Sequence, residues 1–277
     1  MSRLSPDRVA VAITPARIVL VRTHGLLRPK VVAKSSLAVS GTDTANSWQP
    51  ALDTLAKLMH SDAQWQAATV NVVVSNHFVR YQLIPWSAVV SSAAMRTAYV
   101  RESFAQVYGD SAATWTYSVN PTRHGAAWFA SAIDQTLLTQ LEDAVGQGQS
   151  KLRSVVPYLM PAFNRARRML KDKNLWFVQQ EPGKLLLMLV IDGRWQAVSS
   201  HQVDAAHWQT QLPLLLEREW HLHGSGSLPR RVVMAAAEIP PLPLDDTGTW
   251  LFDWLPPVAH AGLNASSDSH YAMALGA

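Results

Sequence analysis

The sequence predicts an α/β fold of two lobes, the first carrying an inserted α+β subdomain. Three observations predict it. A run of three strands and a helix is read twice along the chain. The first run is interrupted between Val70 and Pro161 by a segment with strands and helices of its own, while the second run is nearly bare. The chain has 277 residues, 48% hydrophobic and 16% charged, so it can bury a substantial core and is too apolar to be disordered.

The first strand spans Arg8 to Thr14, a turn follows at Pro15-Ala16, and Ile18 to Thr23 forms the second strand. Gly25 and Pro29 precede the third, Lys30 to Leu37. Alternation and β-branched content support all three. Asn46 or Ser47 can cap a helix from Trp48 to His60 that sets Leu52, Leu55, Ala56 and Met59 on one face. Val70 to Val74 is a β-branched strand, and Arg80 to Ile84 is another that ends in Pro85-Trp86-Ser87. A helix over Ala93–Tyr108, strands over Thr114–Val119 and Ala126–Ile133, a helix over Asp134–Gln147 and a strand over Lys151–Pro157 complete this stretch. Met160 to Lys171 reads as a helix ending in basic residues, as the helix dipole favours.

The second cycle opens with a strand, Leu175 to Gln179, and a turn at Glu181-Pro182-Gly183-Lys184. Lys184 to Ile191 and Arg194 to Ser200 are joined by Asp192-Gly193, a strong two-residue hairpin signal. A helix from Asp204 to His221 is expected to kink or break at Pro213. A loop over Gly224–Pro229, a strand over Arg231–Ala237 and a proline-rich connection over Ile239–Asp246 follow. Trp250 to Leu255 reads as a short helix, and Ser269 to Leu275 as the last one. The expected boundaries are residues 1–172 for the first lobe, with its insertion at about 70–150, and 173–277 for the second.

The 24 basic and 20 acidic residues leave a formal charge of +4, too mild for a nucleic-acid footprint. The one dense basic cluster, Arg165, Arg167, Arg168, Lys171 and Lys173, reads as a solvated helix end, with contact to anionic lipid or an acidic partner as the sharper alternative. Cysteine is absent, which removes thiolate metal sites and cysteine nucleophiles and fits a reducing compartment. The apolar run Val9–Ile13 is too short for a signal core, and Leu185–Ile191 falls far short of the roughly 20 residues of a membrane span. A cytoplasmic chain is expected, held at a membrane only by something else.

Catalytic patterns are missing. His221-Leu222-His223 places two rings at diverging helix positions with no third ligand in view. Gly224-Ser225-Gly226-Ser227 is no nucleophile elbow, and Gly146-Gln147-Gly148-Gln149 lacks the lysine of a phosphate loop. Glu217, Arg218 and Glu219 read as a solvated helix face, and Asp245-Asp246 as a turn. The 11 Trp are many for this length, with core packing the default for Trp115, Trp128, Trp176 and Trp195.

The element order resembles that of the actin-like (ribonuclease-H-like) assembly proteins of type IV pili and type II secretion, the PilM and GspL families. It rests on the strand ending at Pro85, the helix, the strands and the helix before Lys151-Leu152-Arg153-Ser154-Val155-Val156-Pro157. The resemblance implies two actin-like lobes, with the last helix (about 269–276) crossing back onto the first. Laid on this sequence, the family's nucleotide features are degenerate. Ala12 stands for an aspartate and Thr14 for a glycine, Pro15 removes a backbone donor, glutamines precede the second turn, and Ala235, Ala236 and Ala237 replace the adenosine loop. A pseudo-ATPase without cofactor is therefore expected. As partner, the resemblance implies a PilN-like bitopic inner-membrane protein, docked through its N-terminal cytoplasmic peptide between the main lobe and the insertion, together with an assembly ATPase and no nucleic acid. Pro85 and Trp86 are the expected contact residues, at the strand end where lobe and insertion should meet. The rival readings are a nucleotide-binding actin-like ATPase or kinase-like enzyme, and a binding module of unrelated α/β fold.

Overall fold

In the computed structural model, which describes residues 7–25, 29–39, 48–120, 124–167, 172–236, 248–256, 260–264 and 267–276, the first strands fold as a meander: β1 (Arg8–Ile13), β2 (Arg17–His24) and β3 (Lys30–Ala38), each antiparallel to the next. Helix α1 (Gln49–Ser61) has Pro50 in its first turn and no side-chain cap; Asn46 and Ser47 lie outside the described residues. It buries Leu52, Leu55 and Met59, the face its periodicity predicts. The chain returns through β4 (Thr69–Val74), parallel to β1 from Arg8↔Thr69 to Ile13↔Val74.

After a tight turn over Asn76–Phe78 come β5 (Val79–Ile84), α2 (Ala93–Tyr108), β6 (Trp115–Asn120), β7 (Trp128–Asp134), α3 (Gln135–Gly146), β8 (Lys151–Pro157) and α4 (Leu159–Arg167). β8 pairs parallel to β4, completing a sheet of order β3-β2-β1-β4-β8. In the interior of the sheet, β4 buries Val70, Val72, Val73 and Val74, which explains its valine-rich sequence. Helices α2 and α3 start at caps: Ser92 accepts from the Met95 N–H at 3.1 Å, and Asp134 from the Thr136 N–H at 2.7 Å. α3 packs on α1 against the first sheet. The separate three-stranded sheet, order β5-β7-β6, takes only residues 79–134 of the stretch 70–150, because β4 and α3 belong to the first lobe's layers.

The second sheet, order β11-β10-β9-β12-β13, comprises β9 (Leu175–Glu181), β10 (Lys184–Ile191), β11 (Arg194–Gln202), β12 (Arg231–Ala236) and β13 (Leu251–Trp254), with α5 (Trp208–His223) packed on it. Asp192 and Gly193 have φ of 52° and 71°, the left-handed pair that a type I′ hairpin requires. One helix expectation needs correction. Trp250–Leu255 is not helical: Leu251 to Trp254 pair in parallel with Arg231 to Met234 and extend the sheet edge. α5 is continuous through Pro213, where a kink or a break is expected; so near the helix start, the proline removes only the bond to the Gln209 carbonyl. Helix α6 (Ala272–Leu275) lies against β1, β2 and β4, with Met273 and Ala274 buried, and Lys34 Nζ bonds both oxygens of Asp268 at 2.7 Å just before it.

The inserted sheet joins the lobes through side chains. Cross-strand partners share a face. Ile84 and Trp128 face α2, where Val100 and Phe104 are fully buried. On the other face Tyr81 stacks near Phe129 at 5.6 Å, and Phe129 meets the edge of Trp195 on β11 at 4.2 Å. Trp195 meets Phe163 of α4 at 4.9 Å, and Phe163 meets Phe177 of β9 at 5.4 Å. This row of rings touches the insertion and both lobes.

Candidate functional site

Where β4 ends, the polar residues Ser75, Asn76 and His77 interrupt an apolar stretch and are all buried. Opposite them stands the β9–β10 hairpin, whose tip is Pro182-Gly183 with Gly183 at φ 76°. Alternation along β9 turns Gln179 and Glu181 toward the first lobe. The Glu181 carboxylate accepts the Asn76 N–H at 3.0 Å and the Ser75 hydroxyl. Ser75 Oγ in turn accepts the His77 N–H at 3.1 Å. The Asn76 side chain donates to Gln179 Oε1 at 2.9 Å and accepts from the Tyr81 hydroxyl and the Leu159 N–H. His77 Nε2 donates to the Pro182 carbonyl at 3.0 Å, and the Tyr158 hydroxyl to the Ala236 carbonyl at 3.0 Å. A network of groups from both lobes thus closes the seam between them.

Burial governs the charges here. It pushes the Glu181 carboxyl up, against the bonds from Ser75 and Asn76 that favour its ionised form. It brings His77 down to about 4, reinforced by the positive charge of Lys184. Lys184, only 5% exposed, falls to about 8 through burial and then through repulsion from Arg80. Buried Tyr81 and Tyr158 are both raised, first by burial and then by the nearby Glu181 charge.

The residues singled out by sequence fall around this seam. Ala12 is buried in β1, paired with Val19 and Val73. Thr14 closes the β1–β2 turn, its N–H and hydroxyl both bonding the Arg17 carbonyl, at 2.9 and 3.0 Å. Ala235 and Ala236 do not form a loop: they are strand residues of β12 paired with Gln179 and Gln180. Ala237 lies outside the described residues. Pro85 and Trp86 are also displaced from the expected place. β5 leaves the first lobe at Val79, and at about 3.3 Å per residue it carries the chain roughly 17 Å to Ile84. Exposed Pro85 and half-buried Trp86 therefore lie beyond its far end, with the Trp86 ring 4.4 Å from that of His124. The lobe and the insertion meet at Ser75–Val79.

Sequence reasoning missed Ser75, Asn76, His77, Gln179 and Glu181 as a set. Their signal was present: polar residues inside apolar strand runs need buried partners. Glu219 was also misjudged. It is 3% exposed, because α5 turns it onto β11, 3.3 Å from His201 Nε2 and 3.6 Å from His223 Nε2. His201 is the first cause that holds its carboxyl below the usual range. Arg168 and Lys171 of the basic cluster lie outside the described residues.

No protein-family profile matches the sequence, and no curated protein does. Solved structures do. A PilM-PilN type IV pilus biogenesis complex matches at a TM-score of 0.71 and 14% identity, covering 97% of this chain and 96% of that one. The cytoplasmic domain of EpsL, an inner-membrane component of the type II secretion system of Vibrio cholerae, matches at 0.60 and 11% identity, over 98% and 95%. A Bacteroides thetaiotaomicron protein of actin-like ATPase fold and unknown function matches at 0.58 and 9% identity, over 98% and 96%. At these identities the likeness is one of fold: this chain has the actin-like fold, in a form similar to that of the pilus and secretion assembly proteins PilM and EpsL.

Proposed function

We propose that this chain is a non-catalytic, cytoplasmic scaffold of a type IV pilus or type II secretion platform at the inner membrane, with an interlobe seam that holds no nucleotide. The observation that carries the second part is Glu181. A carboxylate of the chain itself occupies the Asn76 N–H and the Ser75 hydroxyl, and a phosphate brought into that seam would meet its negative charge. Pro15 and the buried Ala12 at the first hairpin support the same reading, because Pro15 has no N–H to donate and Ala12 no metal-positioning carboxylate.

The likeness to the PilM-PilN complex supports a PilN-like membrane partner, bound through a short N-terminal cytoplasmic peptide, and an assembly ATPase as a further contact. Because Pro85 and Trp86 stand at the far end of β5, the proposed seat of that peptide is the cleft between the first lobe and the insertion rather than that pair, beside the buried Ser75–Val79 turn and not on it. The rival reading, a nucleotide-binding ATPase or kinase-like enzyme, is separated by a thermal shift with Mg-ATP. A ligand at 100 times its dissociation constant adds about 2.7 kcal/mol of stability. The scaffold reading expects no shift with Mg-ATP and a clear one with the partner peptide; a shift with Mg-ATP would overturn it.

A further inference from the structure

The far end of the inserted sheet has the composition of a surface that enters an interface. Pro85 is exposed, Trp86 lies half-buried over His124, Val89 is 76% exposed and Met95 40%. The outward positions of the first turns of α2 are Ala93, Ala94, Thr97 and Ala98, where a solvated helix carries charges. From Pro85 to Arg101 there is no acidic residue; the first carboxylate reached is Glu102. Arg96 and exposed Arg101 supply positive charge, and neither is ion-paired among the described residues.

We propose that this tip, Trp86, Val89 and Met95 flanked by Arg96 and Arg101, docks on an anionic lipid bilayer. Trp belongs at the headgroup level, where its apolar ring and its N–H are both accommodated. Val89 and Met95 reach below it, while the arginines lay their stems along apolar surface and keep the guanidinium groups among lipid phosphates. The absence of carboxylates favours a bilayer over a protein groove: an anionic membrane repels acidic side chains at every point of contact, whereas a protein partner can match them one by one. The placement of the tip suits this, because β5 carries it about 17 Å from where the chain leaves the first lobe, and Pro85, Val89 and Met95 are exposed there. The proposal does not rest on the partner peptide, whose seat is at the opposite end of β5.

Flotation of the full chain with phosphatidylcholine vesicles, with and without phosphatidylglycerol, tests it. Binding is expected only to the anionic vesicles, weakening as salt is raised. Val89→Asp should lower it about tenfold, and Arg96→Gln and Arg101→Gln about fivefold each, all with unchanged circular dichroism. Three results would overturn the proposal: no binding to phosphatidylglycerol vesicles, equal binding by Val89→Asp, or loss of self-association or of peptide capture in Val89→Asp with no lipid binding by the parent chain.

Discussion

Glu181 and Asn76 stand 105 positions apart in the chain, and a 3.0 Å hydrogen bond joins the backbone N–H of one to the carboxylate of the other across the two lobes. Its energetic weight is a difference of two large terms. The buried carboxylate is penalised by desolvation, and its bonds to Asn76 and Ser75 offset that penalty. Removing only the carboxylate leaves two buried donors unanswered.

Glu181→Ala should therefore lower unfolding stability by about 3 kcal/mol in urea titration. Glu181→Gln keeps an acceptor for Asn76 and should cost about half as much. A loss below about 1 kcal/mol for the alanine variant would mean that the seam is held by something else.

His77 gives the seam an acid sensitivity. In the folded chain its ring stays neutral down to about 4, while in the unfolded chain it is protonated near 6.5. Between those values the unfolded state binds more protons, so stability is lost as the pH is lowered from 6.5 to 4, by at most about 3 kcal/mol. Glu181 works in the opposite sense, because its raised pKa lets the folded state take a proton first. His77→Gln should flatten the loss of the urea midpoint between pH 6.5 and 4; an unchanged slope would remove His77 as its source.

Lys184 acts on the alkaline side. Its folded pKa of about 8 lies below the ordinary 10.5, so the unfolded state holds the extra proton between those values and stability rises with pH. The rise should show between pH 8 and about 10, above which tyrosines raised by burial oppose it. Lys184→Met should abolish it.

Phe129→Ala should cost about 3 to 5 kcal/mol and speed amide exchange in β5 and β7, since Phe129 is 5% exposed and bridges Tyr81 to Trp195. A double-mutant cycle with Trp195→Ala should give a coupling of about 1 kcal/mol. Additive effects would show that the rings touch without supporting each other.

Much of the fold was legible because its signals are local. Asp192-Gly193 dictates its hairpin through two left-handed residues, and the valines of β4 announce a strand covered on both faces. What was not legible depends on distant partners. Leu251 to Trp254 form a strand only because β12 offers an open edge beside them, and four residues carry too little periodicity to say so. Glu219 sits in a charged run, and its burial depends on His201 from another element. At the seam, the sequence marked the two hairpins but not Ser75 or Asn76, whose role appears only when β9 is set opposite β4. Pro85 and Trp86 were placed at the wrong end because the direction of β5 relative to the lobe follows from its pairing with β7, which local pattern does not reveal.

The run of rings from Tyr81 through Phe129, Trp195 and Phe163 to Phe177 makes the inserted sheet a strut rather than an appendage. A load pulling on its outer end reaches the second lobe through stiff edge-to-face contacts as well as along the backbone, so the two halves are dragged as one block.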